Sequence, residues 1–190
     1  MQIRSLVAIA LLLLASACER APDLAQPSSY AKDDLAFSFP GNWSVTADQA
    51  ESGAGGSSRN VVIESPGNAI VLVQLYMPPV ETTAEEFSAE LMKTTIQEVE
   101  HLIEVRGVKP VTAQGSEPSA VQSVVAGVLR DGVERNFVIR VLGEPVPHRA
   151  RTFRIEDADS VVFLFAQAST EDWSKVAPGF DLIASTLALE

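Results

Sequence analysis

The chain has 190 residues, of which 46% are hydrophobic, 21% are charged and one is a cysteine. This apolar content is ordinary for a globular domain and excludes disorder over most of the chain. A single cysteine excludes an internal disulfide framework and a cysteine-ligated zinc site. The formal net charge of −11 argues against a nucleic-acid binder, because contact with phosphates needs a basic surface.

The first residues have the layout of a bacterial export signal. Arg4 supplies a positive charge, residues 6–14 are all apolar, and residues 15–17 are small. The apolar run is shorter than the about 20 residues that a transmembrane helix needs. We therefore predict that residues 1–17 are a signal peptide.

Cys18 directly follows the small residues. The stretch LASAC that ends at Cys18 resembles the lipobox of bacterial lipoproteins, in which the cysteine is acylated and becomes the new N-terminus. That family prefers leucine three positions before the cysteine, where this chain has Ala15. The alternative is cleavage by an ordinary signal peptidase, which would leave a free thiol. Because a free thiol is a liability in an oxidising compartment, we favour lipidation of Cys18.

The segment that follows Cys18 contains two prolines, scattered charges and no hydrophobic period. We predict that residues 18–33 are a flexible tether, with a root-mean-square span of roughly 20 Å, and that residues 34–190 form the folded domain. Glu19 takes the place where lipoproteins of enteric-type bacteria carry aspartate for inner-membrane retention. By this resemblance we expect a lipid-anchored protein that faces the periplasm from the outer membrane.

The first half of the domain is predicted to be mostly strands. Residues 35–39 alternate between apolar and small or polar side chains, and a second strand begins at residues 43–46. The Gly- and Ser-rich residues 49–58 predict a mobile loop. Strands over residues 61–64 and 69–76 follow, separated by a Ser-Pro-Gly-Asn turn.

The second half is predicted to contain two helices and two hairpins. Thr83 and Glu86 form a capping box for a helix that runs to about residue 102, before Gly107 and Pro110. Asp131-Gly132 is a hairpin-turn signal between two apolar runs. A further hairpin turns at residues 156–159, and the closing helix is capped by Ser169 or Thr170. This order predicts the α+β class: an antiparallel β-sheet flanked by helices.

Three segments carry a family resemblance. LAFSFPGNW (residues 35–43), AEEF (84–87) and FDLIASTL (180–187) resemble structural segments of the PsbP-like or Mog-like fold. DcrB-like bacterial lipoproteins join this fold to a lipid anchor. The resemblance implies an α/β/α sandwich over about residues 34–189 and a non-catalytic role in binding or assembling partners. It does not identify the partner.

Two tryptophans are candidate binding residues. Trp43 follows a Pro-Gly turn, where an exposed ring would offer a flat platform to a ligand and a buried ring would pack over the edge of the sheet. We favour packing and keep Trp43 as a ligand-binding candidate. Trp173, at the start of the closing helix, is open to the same two interpretations.

His148, Arg149, Arg151 and Arg154 form the basic cluster of the sequence. Such a cluster can bind a carboxylate, a phosphate headgroup or an acidic partner. The alternative is ion pairing with the acidic turn at residues 156–159. Arg149 and Arg151 share one strand face whereas Arg154 lies on the other, which divides the cluster and favours ion pairing. His148, Arg149 and Arg151 are kept as ligand-binding candidates.

Glu98, His101 and Glu104 share one face of the first helix and are potential metal ligands. No second histidine lies near them, so we interpret them as a solvated helix end and predict no metal site. Residues 53–58 lack the lysine of a phosphate-binding loop. We assign no catalytic residue and no cofactor.

The sequence therefore favours a lipid-anchored cell-envelope protein with a non-catalytic binding or assembly domain. Its expected partners are the membrane, through the anchor, and an unidentified protein or small molecule, but not nucleic acid. Two alternatives stay open: an envelope hydrolase that uses carboxylates, and a structural accessory subunit of a membrane complex. The hydrolase requires a pocket with two acids of different pKa, whereas the accessory subunit requires an exposed apolar patch. A small-molecule binder requires a preformed apolar cleft.

Overall fold

The structure is a computed structural model that describes residues 20–105, 114–141 and 144–189. Within these ranges, strands alternate with two helices. The strands are β1 (Ser28–Lys32), β2 (Leu35–Phe39), β3 (Ser44–Gly53), β4 (Gly56–Glu64), β5 (Ile70–Met77), β6 (Gln114–Gly115), β7 (Ser119–Val125), β8 (Val128–Val141), β9 (Glu144–Glu156), β10 (Val161–Ser169) and β11 (Ala188–Leu189). The helices are α1 (Ala84–Val105) and α2 (Trp173–Thr186).

Two antiparallel sheets make up most of the fold. The large sheet has the order β3-β4-β5-β10-β9-β8, and both β6 and β7 lie along the far side of β8. The small sheet has the order β1-β2-β11. The predicted α+β class and the antiparallel pairing are confirmed. The expected α/β/α sandwich is not what the structure has: strands dominate, and α2 shares its side of the large sheet with the small sheet.

The main core lies between the large sheet, the small sheet and α2. The buried residues of α2 recur every three or four positions, at Trp173, Val176, Phe180 and Ile183, so one face of the helix meets the sheet. Leu35, Phe37 and Phe39 of β2 reach the same core, as the alternation of their strand predicts. Burial of this apolar face is what holds α2 and the small sheet in place.

A second core lies on the opposite face of the large sheet, beneath the first half of α1. The ring of Phe87 stacks on that of Phe163, with ring centroids 4.3 Å apart. The predicted capping box is confirmed, since the Glu86 amide donates to the Thr83 hydroxyl (3.1 Å) and the Thr83 amide donates to Glu86 (2.9 Å). Gly107 and Pro110, predicted to limit this helix, lie outside the described residues.

The hairpin predicted at Asp131-Gly132 is wrong. The chain reverses at Ala126-Gly127, both with positive φ (51° and 71°), as a two-residue hairpin turn requires. Asp131 and Gly132 instead lie inside β8, opposite Gln122 and Val121. The observed register buries Val125 completely, and such non-local burial outweighs a local turn preference.

Two segments predicted to be irregular are strands. Residues 49–58, predicted as a mobile loop, form the end of β3, a two-residue turn and the start of β4, with Gly53 opposite Gly56. Residues 28–32, predicted to lie in the tether, form β1 and pair with β2 along its whole length. Both segments are rich in small, polar or charged residues. Exposed strands at a sheet edge and loops share this composition, so composition alone does not distinguish them.

The closing helix begins later than predicted. Ser169 is the last residue of β10 and Asp172 precedes the first turn of α2. The Ser169 hydroxyl accepts from the Asp172 amide (3.1 Å), so it stabilises the approach to the helix rather than its first turn. Pro178 lies within α2, which continues through it. Within the described part of the chain, no helix combines the length and the apolar character that crossing a bilayer requires.

Candidate functional site

Strand β9 divides the predicted basic cluster between the two faces of the large sheet. Arg149 and Arg151 lie on the face that carries α2, and His148 lies on the other. Trp173, the first residue of α2, packs beneath both guanidinium groups. The distances from its ring centroid to Arg149 and Arg151 Cζ are 5.4 and 5.1 Å, which is cation–π range.

Glu134 of β8 is the carboxylate partner of Arg149 and Arg151. It lies directly opposite Arg151, whose Nε donates to Glu134 Oε2 at 2.8 Å. Arg149 Nε lies 3.8 Å from the other carboxylate oxygen. We call Glu134, Arg149, Arg151 and Trp173 the Arg–Trp cluster. Its two cations share one carboxylate and one aromatic face, so an added anion would have to compete with Glu134 for them.

A cleft next to the Arg–Trp cluster has a volume of about 20 Å³. Arg151 and Trp173 line one side of it, and Ser123 and Asp181 add polar groups. A volume of this order holds about one water molecule. The cleft is therefore too small for a metabolite without rearrangement of its walls, since ligand pockets commonly measure about 300 Å³ or more.

His148 does not belong to this cluster. Its side chain is buried on the α1 face, its ring stacks on Phe137 with centroids 5.5 Å apart, and Nδ1 lies 3.0 Å from the Val146 carbonyl oxygen. Burial lowers the pKa of His148, and the hydrogen bond to Val146 opposes this only in part. His148 is thus a neutral packed residue near pH 7, not an anion ligand.

Trp43 is buried, with only 4% of its surface exposed, and offers no open platform. Its ring meets Phe180 edge-on at a centroid distance of 5.6 Å. Gly179 makes this contact possible, since a Cβ there would lie 2.7 Å from two carbons of the Trp43 ring. The interpretation that Trp43 packs over the sheet is the one the geometry supports.

Arg154 lies on the α1 face and ties the sheet to the segment before α1. Its Nε and Nη2 donate to the carbonyl oxygens of Thr82 and Val80, both at 3.1 Å. It also forms an ion pair with Glu156, as the local-pairing alternative expects. Arg149 and Arg151 instead pair with Glu134, a residue that is distant in sequence.

Other sequence candidates have no described side-chain geometry. Cys18 and residues 1–17 lie outside the described residues. Glu98, His101 and Glu104 lie in α1, but their side chains are outside the described set. In the described part of the chain, His, Cys, Asp and Glu side chains do not come together in groups of three that could hold a metal.

Sequence analysis missed an ionic cluster between the two sheets. Tyr30 of β1 donates to Asp48 Oδ1 of β3 (3.1 Å), and Lys32 Nζ lies 2.5 Å from Asp48 Oδ2. Arg59 of β4 forms ion pairs with Asp48 and Asp33. Tyr30, Lys32 and Asp33 were missed because residues 18–33 were predicted to be a tether. The alternation from Leu35 to Phe39 predicted β2 but did not indicate that β1 pairs with it.

The exposed hairpin of β7 and β8 was missed as well. Val124, Val128 and Leu129 are 47, 55 and 63% exposed. Val124 and Leu129 form a cross-strand pair on one face of the hairpin, and Val128 lies beside them at the turn on the other face. We call these three residues the apolar tip. Its signal in the sequence is VVAGVL, an apolar run interrupted by a turn-forming Ala-Gly pair.

The carboxyl groups whose pKa is shifted do not suit general-acid chemistry, because the shift is downward in each of them. A general acid needs a pKa raised towards neutrality. The pKa values of the acids that shift are all lowered by hydrogen bonds or ion pairs, and in Asp48 these contacts outweigh a burial that would raise its pKa. The others are Glu86, Glu156, Asp157 and Asp172, whose main partners are Thr83, Arg154, Asp159 and Lys175.

Two solved structures are similar to the chain. One is the cyanobacterial PsbP (CyanoP) of Synechocystis sp. PCC 6803, with 17% identity, coverage of 87% of this chain and 92% of that chain, and a TM-score of 0.41. The other is LpqN, involved in cell envelope biogenesis of Mycobacterium tuberculosis, with 13% identity, coverage of 86% and 90%, and a TM-score of 0.37.

The first of these structures bears the family name that the sequence resemblance gave. No family model and no curated protein matches the chain. The DcrB-like resemblance stays a prediction.

Proposed function

We propose that this chain is a lipid-anchored cell-envelope protein whose folded domain is a non-catalytic module that docks a protein partner through the apolar tip. The observation that carries the docking proposal is the exposure of the cross-strand pair Val124 and Leu129 on one face of the hairpin, with Val128 exposed at the same turn on the opposite face. Large apolar side chains that are exposed together, rather than singly, are typical of interaction sites.

The location of the apolar tip suits protein docking. Among the described strands, β7 pairs with β8 and has no partner on its other side. An edge strand offers unpaired amide and carbonyl groups to an incoming chain, and the tip adds apolar side chains beside them. On the other face of the hairpin, Val125 is fully buried and the Ala126 amide donates to the Ala184 carbonyl of α2 (2.9 Å). The hairpin that carries the tip is therefore packed against α2 on that face.

The other ligand classes receive less support from the described residues. The cleft beside the Arg–Trp cluster holds about one water molecule, which favours a protein partner over a metabolite. The lowered pKa values of the shifted carboxyl groups do not favour the hydrolase alternative. The accessory-subunit alternative shares the docking surface and differs from the proposal only in the permanence of the complex.

The anchor is tested by the mass of the mature protein. The full chain is expressed in a Gram-negative host, beside a Cys18→Ala variant, and each intact mass is measured. We expect a mature mass that starts at Cys18 and carries diacylglyceryl and acyl groups, with no such addition in the variant. An unmodified mass that starts at Cys18 would mean a freely diffusing periplasmic protein.

The docking surface is tested by site-specific photocrosslinking in the envelope of the native host. A photoreactive amino acid replaces Leu129 in one variant and Val45, an exposed apolar residue on edge strand β3, in the control. We expect a discrete crosslinked product from position 129 and not from position 45. A Val124→Asp substitution in the Leu129 variant should abolish that product, because it puts a charge beside the crosslinker.

Two results would contradict docking through the apolar tip. One is equal crosslinking from positions 129 and 45, which would indicate non-specific contact. The other is an unchanged product in the presence of Val124→Asp, provided that the thermal unfolding of this variant matches that of the unsubstituted chain.

A further inference from the structure

The segment predicted to be a flexible tether is attached to the folded domain almost from its beginning. Asn42, in the turn between β2 and β3, accepts from the Asp23 amide through Oδ1 (2.7 Å) and donates to the Ala21 carbonyl through Nδ2 (2.9 Å). The Gly41 amide donates to the Asp23 carbonyl (2.9 Å). We call residues 21–26 together with Gly41 and Asn42 the N-terminal clamp.

The clamp also has hydrogen bonds within its own segment and a close backbone approach to Gly41. The Asp23 carboxylate accepts from the amides of Ala25 and Gln26 (3.0 and 3.3 Å), which fixes the turn of the segment. A Cβ at Gly41 would lie 2.1 Å from the Gln26 carbonyl oxygen, so only glycine allows these two segments of the backbone to come this close. Strand β1 begins at Ser28 and continues the attachment.

β1 itself is anchored to both sheets. Tyr30 is 7% exposed, and its ring stacks on that of Phe37 at a centroid distance of 4.9 Å. Its hydroxyl donates to Asp48 of the large sheet. The described chain is therefore attached to the domain at Ala21 and Asp23, and again from Ser28 through Lys32.

This attachment leaves two residues, Glu19 and Arg20, between Cys18 and the clamp. Three consecutive Cα–Cα steps span at most about 11 Å. The predicted tether would have given roughly 20 Å and free rotation. An acyl chain on Cys18 would consequently hold the clamp within about one nanometre of the lipid headgroups.

We propose that the N-terminal clamp is a membrane-facing surface, so that the anchor holds the domain in one orientation on the bilayer instead of letting it swing. This inference rests on the proposed lipid anchor. Leu24, which is 46% exposed within the clamp, lies on this surface and contacts the lipid headgroup region. The occupant of the surface is the bilayer itself, because the chain beyond the clamp is too short to reach past another protein.

The test uses fluorescent labels at single introduced cysteines. Acylation consumes the thiol of Cys18, the only cysteine of the chain, so an introduced cysteine is the only free one. Ser44 of β3, two residues beyond the clamp, and Glu117, just before β7, are exposed and lie towards opposite edges of the large sheet. Six strand spacings separate these edges by about 30 Å.

Acylated mature protein, which begins at Cys18 and carries a label at Ser44→Cys, Glu117→Cys or Leu24→Cys, is reconstituted into phosphatidylethanolamine–phosphatidylglycerol vesicles. A small fraction of the lipid carries a nitroxide on its headgroup, and quenching of each label is measured. We expect the strongest quenching at position 24, and quenching at position 44 about twofold or more above that at position 117. Nitroxide quenching acts only at short range, so a domain held in one orientation keeps positions 24 and 44 near the headgroups and position 117 away from them.

A clamp-release variant is the matched control. Asn42→Ala removes both side-chain hydrogen bonds to the segment, so that only the backbone hydrogen bond from Gly41 to Asp23 still holds the clamp to the turn. Release of the clamp lengthens the free chain to about ten residues, which span about 17 Å. We expect the difference between positions 44 and 117 to disappear in this variant. Gly41→Ala, which forces the Gln26 carbonyl away, should give the same loss if Asn42→Ala perturbs folding.

The outcomes separate this inference from the proposed function. Equal quenching at positions 44 and 117 in the acylated protein with an intact clamp would overturn the fixed orientation and leave the anchor standing. A persistent difference in both clamp-release variants would overturn the role of the clamp. An intact mass without acyl groups would overturn the anchor and, with it, this inference.

Discussion

Gly132 of β8 lies directly opposite Phe153 of β9, and the Phe153 ring fills the space that a side chain at position 132 would need. A Cβ on Gly132 would lie 2.5 Å from two carbons of that ring and 2.7 Å from the Thr152 carbonyl oxygen. Phe153 belongs to the main core beneath α2. Gly132, which the sequence suggested as a turn residue, instead allows the ring of Phe153 to pack closely against β8.

Gly132→Ala should lower the free energy of unfolding by about 1–3 kcal/mol, because overpacking forces Phe153 or the backbone to move. Urea denaturation of the folded domain measures this change. Gly55→Ala is the control, since a Cβ at Gly55 meets no atom within 4 Å. Equal stability of the two variants would contradict the packing role of Gly132.

Arg59→Met should lower the free energy of unfolding by about 1.5–3 kcal/mol at pH 7, because it removes charge-assisted hydrogen bonds to a largely buried Asp48. Lys93→Met removes an exposed pair with Glu90 and should cost less than about 1 kcal/mol. A similar cost for both variants would show that the ionic cluster between the sheets adds nothing to stability.

The same comparison has a defined pH dependence. Burial acts to raise the pKa of Asp48, but hydrogen bonds from Lys32 and Tyr30 and the charge of Arg59 outweigh it and lower the pKa. A lowered carboxyl pKa contributes stability above its unfolded value of about 3.9, and this contribution is lost as the pH falls through the folded value. The deficit of Arg59→Met should therefore shrink between about pH 5 and pH 2.

His148 should make stability fall on mild acidification. Burial lowers the pKa of His148 below 6.5, so the unfolded chain takes up the proton first as the pH falls. The stability contribution is complete above pH 6.5 and is lost between that value and the folded pKa. In His148→Gln, the part of the pH dependence that arises from this residue should vanish, as measured by urea denaturation from pH 7.5 to pH 5. An unchanged slope would place the titrating group elsewhere.

Glu134→Gln should create the anion site that Glu134 fills in the native chain. The substitution removes the carboxylate that Arg149 and Arg151 share, and two adjacent cations then bind phosphate. We expect 10 mM phosphate to raise the melting temperature of this variant by about 2–4 °C over chloride of equal ionic strength, by selective binding to the folded state. The unsubstituted chain and Glu171→Gln, which changes an exposed acid, should show no such shift. A phosphate effect in the unsubstituted chain would mean that Glu134 does not block the site.

Local patterns predicted several elements well. The capping box of Thr83 and Glu86 depends on four consecutive residues, and the structure has its hydrogen bonds. The alternation from Leu35 to Phe39 predicted a strand with one buried face, which is what β2 is. The interpretation of Trp43 as a packing residue agrees with its burial, because large aromatic side chains next to an apolar strand are usually enclosed.

Of the Arg–Trp cluster, the sequence placed only the two arginines together. Alternation along a strand placed Arg149 and Arg151 on one face, but nothing near them in sequence indicated Glu134 or Trp173 as their partners. The same limit hid the clamp, since the bonds of Asn42 to Ala21 and Asp23 join segments that are about 20 residues apart. Composition identified these segments as irregular without showing what they contact.

The sequence by itself determined the class of the fold, the cap of the first helix and the alternation of the apolar strands. Each of these depends on residues that are neighbours in the chain, where hydrogen-bonding reach and side-chain period fix the outcome. Only the tertiary structure decided where the β7–β8 hairpin turns, which partner each arginine takes and how residues 21–26 attach to the turn at Gly41 and Asn42. These features depend on which distant surfaces are buried together, and the free energy of that burial exceeds local preferences such as the turn tendency of Asp131-Gly132.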